Sequence, residues 1–140
     1  MVQYPFVPDR ASVGEVELTP RGTVFLVDDD ASVRRALQRL IQSAGYAVET
    51  FADAATYLKR PTATPPACII IDIRMPDMTG IELQNALAGT KRALPVVFIT
   101  GHGDEDVRAQ ALGAGAVDVL FKPIDEAALV AAIEKALEGA

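Results

Sequence analysis

The chain is short of the residues that build metal cages, disulfides and membrane spans. It has no tryptophan, one cysteine (Cys68) and one histidine (His102) among its 140 residues. A lone cysteine excludes an internal disulfide, and a reducing cytoplasm fits that usage. One cysteine with one histidine gives little from which to build a zinc cage. No apolar run approaches the ~20 residues of a membrane span. The N-terminus has no basic stretch followed by an apolar one, so no signal peptide is expected. Basic residues are also scarce, 13 against 19 acidic, for a net charge of −6. Such a surface repels phosphate backbones and argues against direct nucleic-acid binding.

What is present suits one globular domain. Half of the residues are apolar, enough for a real core at this length. Residues 1–21 stand apart as an N-terminal arm. Its opening, Met1 to Pro8, is aromatic and proline-broken, and the arm is read as flexible. Residues 22–140 form the domain proper.

From Thr23 onward, strand and helix patterns alternate. An apolar run over 23–27 is followed by Val33, Leu37, Leu40, Ile41 and Ala44 at helical spacing, stopped by Gly45. Arg34, Arg35 and Arg39 fall elsewhere on that helical wheel, as a solvated face. Tyr46 to Phe51 is a second strand, and Asp53 to Arg60 a short helix ended by Pro61. Residues 67–71 are apolar throughout, as in a strand buried on both faces. Thr79 and Glu82 have capping-box spacing and start a third helix. Pro95 opens a fourth strand. Asp104 can cap a helix carrying Val107, Ala111 and Leu112. Val117 to Phe121 is a fifth strand, and Asp125 can cap a last helix with Leu129, Ala132, Ile133, Ala136 and Leu137 turned inward. Five βα units in succession predict a flavodoxin-like (βα)5 three-layer α/β sandwich, with a parallel sheet in the order 2-1-3-4-5.

That order gives the polar residues that close the apolar runs their meaning. Asp28 and Asp29 end the first strand, Asp72 the third, Thr100 the fourth and Lys122 the fifth. The carboxyl ends of neighbouring parallel strands are where such sheets bind ligands. Three carboxylates crowded there repel one another unless a hard cation joins them, and oxygen ligands suit Mg²⁺. A lysine ammonium beside that cation needs an anion between them, which a phosphoryl group supplies. Thr100 adds a hydroxyl donor, and Gly101 and Gly103 let the backbone approach. An aspartate can serve as the nucleophile in aspartyl-phosphate chemistry, which needs positioning and charge neutralisation above all. Each residue alone has an ordinary reading: Asp30 as a helix cap, Asp72 as a turn residue, Lys122 as a solvated strand end. The joint occurrence is what points to a site.

The motifs Val27-Asp28-Asp29-Asp30, Ile71 to Gly80, Ile99 to Asp104 and Lys122-Pro123 together resemble the receiver domain of two-component response regulators. The resemblance covers about Thr23 to Leu137, and the middle two motifs are similar to the nitrogen-fixation-type subfamily. It implies that Asp72 accepts a phosphoryl group from a sensor histidine kinase or phosphotransfer protein. It implies Mg²⁺ bound by Asp29 and Asp72, by Asp28 mainly through water, and by the main-chain carbonyl of Arg74. Thr100 and Lys122 would bind phosphoryl oxygens. The Lys122–Pro123 bond is expected to be cis. Arg74 and His102 sit where the family tunes the lifetime of the acyl phosphate. The domain would be a switch more than an enzyme, with at most slow autodephosphorylation, and would present its fourth helix, fifth strand and fifth helix to a partner or a second copy. One position departs from the family: Val119 stands where an aromatic ring usually swings inward. Activation is therefore expected to run through the loop after strand four and its helix, with Phe121 on the same strand face as Val119.

Rival readings are a pseudo-receiver that binds partners without phosphorylation and an aspartate-nucleophile phosphatase. The complete acidic, hydroxyl and ammonium set opposes the first. Arg74, where a phosphatase places its second aspartate, opposes the other. A flavodoxin would want hydroxyls and glycines after strand one, where acids stand. The chain ends soon after the fifth helix, as either a stand-alone receiver or part of a longer regulator would.

Overall fold

A computed structural model describes residues 21–101 and 105–138. The element order is β1 (Thr23–Val27), α1 (Ala31–Ser43), β2 (Ala47–Phe51), α2 (Ala54–Leu58), β3 (Ala67–Asp72), α3 (Gly80–Leu87), β4 (Val96–Thr100), α4 (Glu105–Gly113), β5 (Asp118–Phe121) and α5 (Glu126–Glu138). The five strands are parallel and ordered β2-β1-β3-β4-β5, the flavodoxin-like order expected. Of the arm, only Arg21 lies within the described residues.

Alternation along the strands divides the core into two layers. Phe25, Val27, Ile69, Ile71 and Phe98 face Tyr57 of α2, Leu83 and Leu87 of α3 and Ala111 of α4. Val24, Leu26, Cys68, Ile70, Val97 and Ile99 face Leu37 and Ile41 of α1 and Leu129, Ile133 and Ala136 of α5. Strand β3 is buried at every position, which is why its sequence shows no polar alternation. Val119 and Phe121 contribute to the same layer, as their spacing predicted.

Capping follows the expected residues. The Asp30 carboxylate accepts from the amides of Ser32 and Val33; Asp53, expected as the first residue of its helix, lies just before it and caps it by accepting from the Thr56 amide. Thr79 and Glu82 form both bonds of a capping box at α3. Asp125 accepts from the Ala128 amide at the start of α5. Asp104 lies outside the described residues. Asp72 is the last residue of β3, closing it as expected, and its neighbour Ile73 donates to the Ile99 carbonyl at 2.9 Å. A further detail differs from expectation. Leu112 is 38% exposed, since α4 turns only Ala111 fully inward.

Candidate functional site

Two strand ends, those of β1 and β3, bring the acids together. The register pairs Val27 with Ile71 and Asp72 with Ile99, so Asp28 and Asp72 end neighbouring strands at one level. Asp28 is fully buried and Asp72 is 4% exposed, while Asp29 faces solvent. One carboxylate oxygen from each of Asp28, Asp29 and Asp72 lies within 4.8 Å of the others. The Lys122 ammonium closes the cluster, 3.2 Å from Asp72 Oδ2 and 3.3 Å from Asp28 Oδ2. Thr100, completely buried, is one residue beyond the strand partner of Asp72, and its carbonyl accepts from the Lys122 amide at 2.8 Å. The Lys122–Pro123 peptide is cis, as expected.

The electrostatics fit a cation site. Burial pushes the Asp28 carboxyl above the usual aspartate range. The Asp30 amide draws it back, Asp72 raises it again, and Lys122 lowers it. Lys122 is also raised, although burial acts on it in the opposite sense. Burial alone would lower its pKa, but Asp28 and Asp72 attract its charge and carry the net value upward. Asp28 Oδ2 is buried, and its contact with Lys122 is an ion pair without hydrogen-bond geometry. A buried carboxylate oxygen left without a hydrogen bond is costly, and a hard divalent ion is the partner that oxygen donors of this kind suit.

Backbone bonds hold the acids in place. Asp28 N donates to the Phe51 carbonyl at 3.1 Å, and Asp28 Oδ1 accepts from the Asp30 amide at 2.9 Å. Asp72 Oδ1 accepts from the Arg74 amide at 3.1 Å. Arg74 itself is exposed. Gly101 is exposed, and a Cβ there would meet nothing within 4 Å among the described residues. His102, Gly103 and Asp104 lie outside the described residues.

Two residues that the sequence did not single out support the site. Arg34, expected on a solvated face, is half-buried and donates from Nη1 to the Asp28 carbonyl at 2.7 Å. The signal was its place one turn after the Asp30 cap, from which a long side chain folds back over the helix N-terminus. Gly80 is the other. A Cβ at Gly80 would sit 2.7 Å from the Asp72 carbonyl and 3.0 Å from Ile73 Cα. Only glycine lets α3 start this close to the end of β3.

A buried carboxylate at the end of a central parallel strand, beside two further acids and a lysine, is the arrangement expected of a signalling receiver. The chain belongs to the response regulator receiver domain family, whose model matches residues 24–134. It is similar to the response regulator protein TodT of Pseudomonas putida, with 38% identity over 130 residues, 93% of this chain and 53% of that protein. It is also similar to the transcriptional regulatory protein FixJ of Bradyrhizobium diazoefficiens, 37% identical over 123 residues, 88% of this chain and 60% of the relative. The latter agrees with the nitrogen-fixation-type resemblance. The solved structure of FixJ-N superposes with a TM-score of 0.78 at 37% identity, covering 84% of this chain and 94% of that one. The chain thus spans a little over half the length of the curated relatives it matches.

Proposed function

We propose that this domain accepts a phosphoryl group on Asp72 from a phosphohistidine of a sensor kinase or phosphotransfer protein, and that the acyl phosphate resets its partner-binding surface. The observation that carries the reading is the meeting of Asp28, Asp29 and Asp72 within 4.8 Å under the ammonium of Lys122.

In this reading a carboxylate oxygen of Asp72 forms the new P–O bond as the donor's P–N bond breaks; the departing imidazole nitrogen keeps the bonding electron pair and takes up a proton from solvent. Asp28, Asp29 and Asp72, with the carbonyl of Arg74, are the groups that would hold Mg²⁺. The ion, when bound, neutralises the acids and offsets charge on the phosphoryl oxygens. Asp28, fully buried, takes its share mainly through water. Lys122 is the cation that follows the group onto Asp72, and the Thr100 hydroxyl donates to a second phosphoryl oxygen. Gly101 has no side chain to bar water, so slow loss of the phosphoryl group is expected without any further machinery.

The route outward does not use a swinging ring. Val119 is 2% exposed and already packed inward, and a β-branched side chain has few rotamers to exchange. Movement of Thr100 toward the phosphoryl group would instead draw the following loop and α4 with it. The face built from α4, β5 and α5 is the surface that changes, and a second copy of this chain is one partner suited to it.

The test is direct. The native protein, incubated with Mg²⁺ and acetyl phosphate, should gain one phosphoryl group by intact mass, and EDTA should abolish the gain. Equal labelling of Asp72→Asn, or none of the native chain, would overturn the assignment.

A further inference from the structure

We infer that Arg34 is a positioning residue of the site: it sets the turn that carries Asp28 and Asp29, and so tunes divalent-cation affinity without touching the ion. The metal half of this inference rests on the function proposed above; the turn half stands on geometry alone.

The turn from β1 into α1 is the least supported part of the cluster. Asp72 is the last residue of a central strand with neighbours on both sides. Asp28 and Asp29, by contrast, lie beyond the last paired residue of β1, Val27. Three bonds replace the missing ladder. The Asp28 amide is tied to β2 through the Phe51 carbonyl, and the Asp28 carboxylate is tied to the turn through the Asp30 amide. The third is the Arg34 guanidinium on the Asp28 carbonyl, the shortest of them at 2.7 Å. It belongs to the peptide group that joins Asp28 to Asp29, so its direction governs where both carboxylates start.

Arg34 suits this task by place and chemistry. It sits in the first turn of α1, and its own amide donates to the Asp30 carbonyl at 2.9 Å. Its side chain therefore starts from a helix already fixed by the Asp30 cap. The half-buried stem runs back along the helix, as long side chains do, and the planar fork delivers a charged donor to a carbonyl. Such charge-assisted bonds are about twice as strong as neutral ones. Groups that orient metal ligands in this way commonly shift metal affinity by at least tenfold. The neighbouring Arg35 has the same charge but is exposed, which makes it a natural control for simple loss of a positive charge.

The experiment compares Arg34→Met, Arg34→Lys and Arg35→Met with the native chain by amide NMR, first without metal and then along a Mg²⁺ titration. In the metal-free spectra, Arg34→Met should shift the Asp29 and Asp30 amides and lower the exchange protection of Asp30, while strand β4 stays unchanged and reports an intact fold. On titration, Arg34→Met should weaken Mg²⁺ binding by about tenfold, Arg34→Lys should recover part of the loss, and Arg35→Met should match the native chain. Unchanged Asp29 and Asp30 amides in Arg34→Met would overturn the positioning role. An equal loss of affinity in Arg35→Met would reassign the effect to net charge and overturn it as well. A native chain that bound no Mg²⁺ would defeat the site reading and the metal half together, while the metal-free amides would still decide whether Arg34 sets the turn.

Discussion

The Arg108 guanidinium of α4 donates to the main-chain carbonyl of Val119 at 3.3 Å. Helix α4 is thereby tied to the strand residue that stands where the family usually places a mobile ring. If activation moves α4, this bond is among those that must be given up. Arg108→Ala should then favour the active arrangement and tighten binding of a beryllofluoride phosphoryl analogue with Mg²⁺ by about fivefold, the worth of one side-chain hydrogen bond. Calorimetric titration measures it. Unchanged or weaker binding would place Arg108 outside the switch.

Gly80 predicts a defect that begins in packing and ends in chemistry. An alanine methyl there would meet the Asp72 carbonyl and Ile73 backbone at 2.7–3.0 Å, and neither belongs to a flexible side chain. Gly80→Ala should cost about 2 kcal/mol of stability and slow phosphorylation of Asp72 by displacing it. Urea melts read the first, and the acetyl phosphate labelling rate the second. A variant with native stability and native rate would show that the loop accommodates the methyl freely.

Glu49 of β2 accepts from Arg60 Nε at 2.9 Å and pairs with a second nitrogen of the same guanidinium. The hydrogen bonds to Arg60 hold its carboxyl below the usual glutamate value. The sign follows from linkage. A depressed carboxyl binds its proton less readily in the folded chain, so the pair stabilises above the ordinary glutamate range. That contribution fades as pH falls through the lowered value. In Arg60→Ala the Glu49 pKa should return toward ordinary, read by ¹³C NMR titration of its carboxyl carbon. Because the pair is partly exposed, the change in overall stability should be small.

Cys68 is buried within β3, and burial pushes its thiol up to about 12. It should not react with a thiol reagent in the native state at neutral pH. One thiol per chain should appear only in denaturant. Because β3 is central, the slow labelling rate without denaturant should track global unfolding. Prompt native labelling would show that β3 opens locally.

Much of this was legible because parallel strands buried on both faces are written as plain apolar runs, and the polar residues that close them gather at one rim of the sheet. Asp28, Asp29, Asp72, Thr100 and Lys122 were therefore visible as punctuation. The capping residues Asp30, Thr79 and Asp125 were visible for a related reason, since a cap acts on amides only two or three positions away. What escaped depended on distances across the fold. Gly80 looked like an ordinary first helical residue, because its constraint comes from the end of another element. Arg34 lay on the polar side of the wheel, which says nothing of where a long flexible side chain ends. Gln84, buried in α3 with an unpartnered carbonyl oxygen, likewise carries no sign in the sequence of the neighbours that cover it.

The Arg21 side chain donates to the Ala44 carbonyl and to Glu134 of α5, and its amide to the Gly45 carbonyl. These contacts bring the entry to the described fold and its last helix together at the amino ends of the strands. The acids lie at the opposite rim. If Asp72 is the acceptor proposed above, a reporter or second module fused at either junction would stand clear of the donor's approach and would sense Asp72 through the helices and sheet between the two rims. The described fold is thus polarised, with the acidic cluster on one rim and both of its junctions on the other.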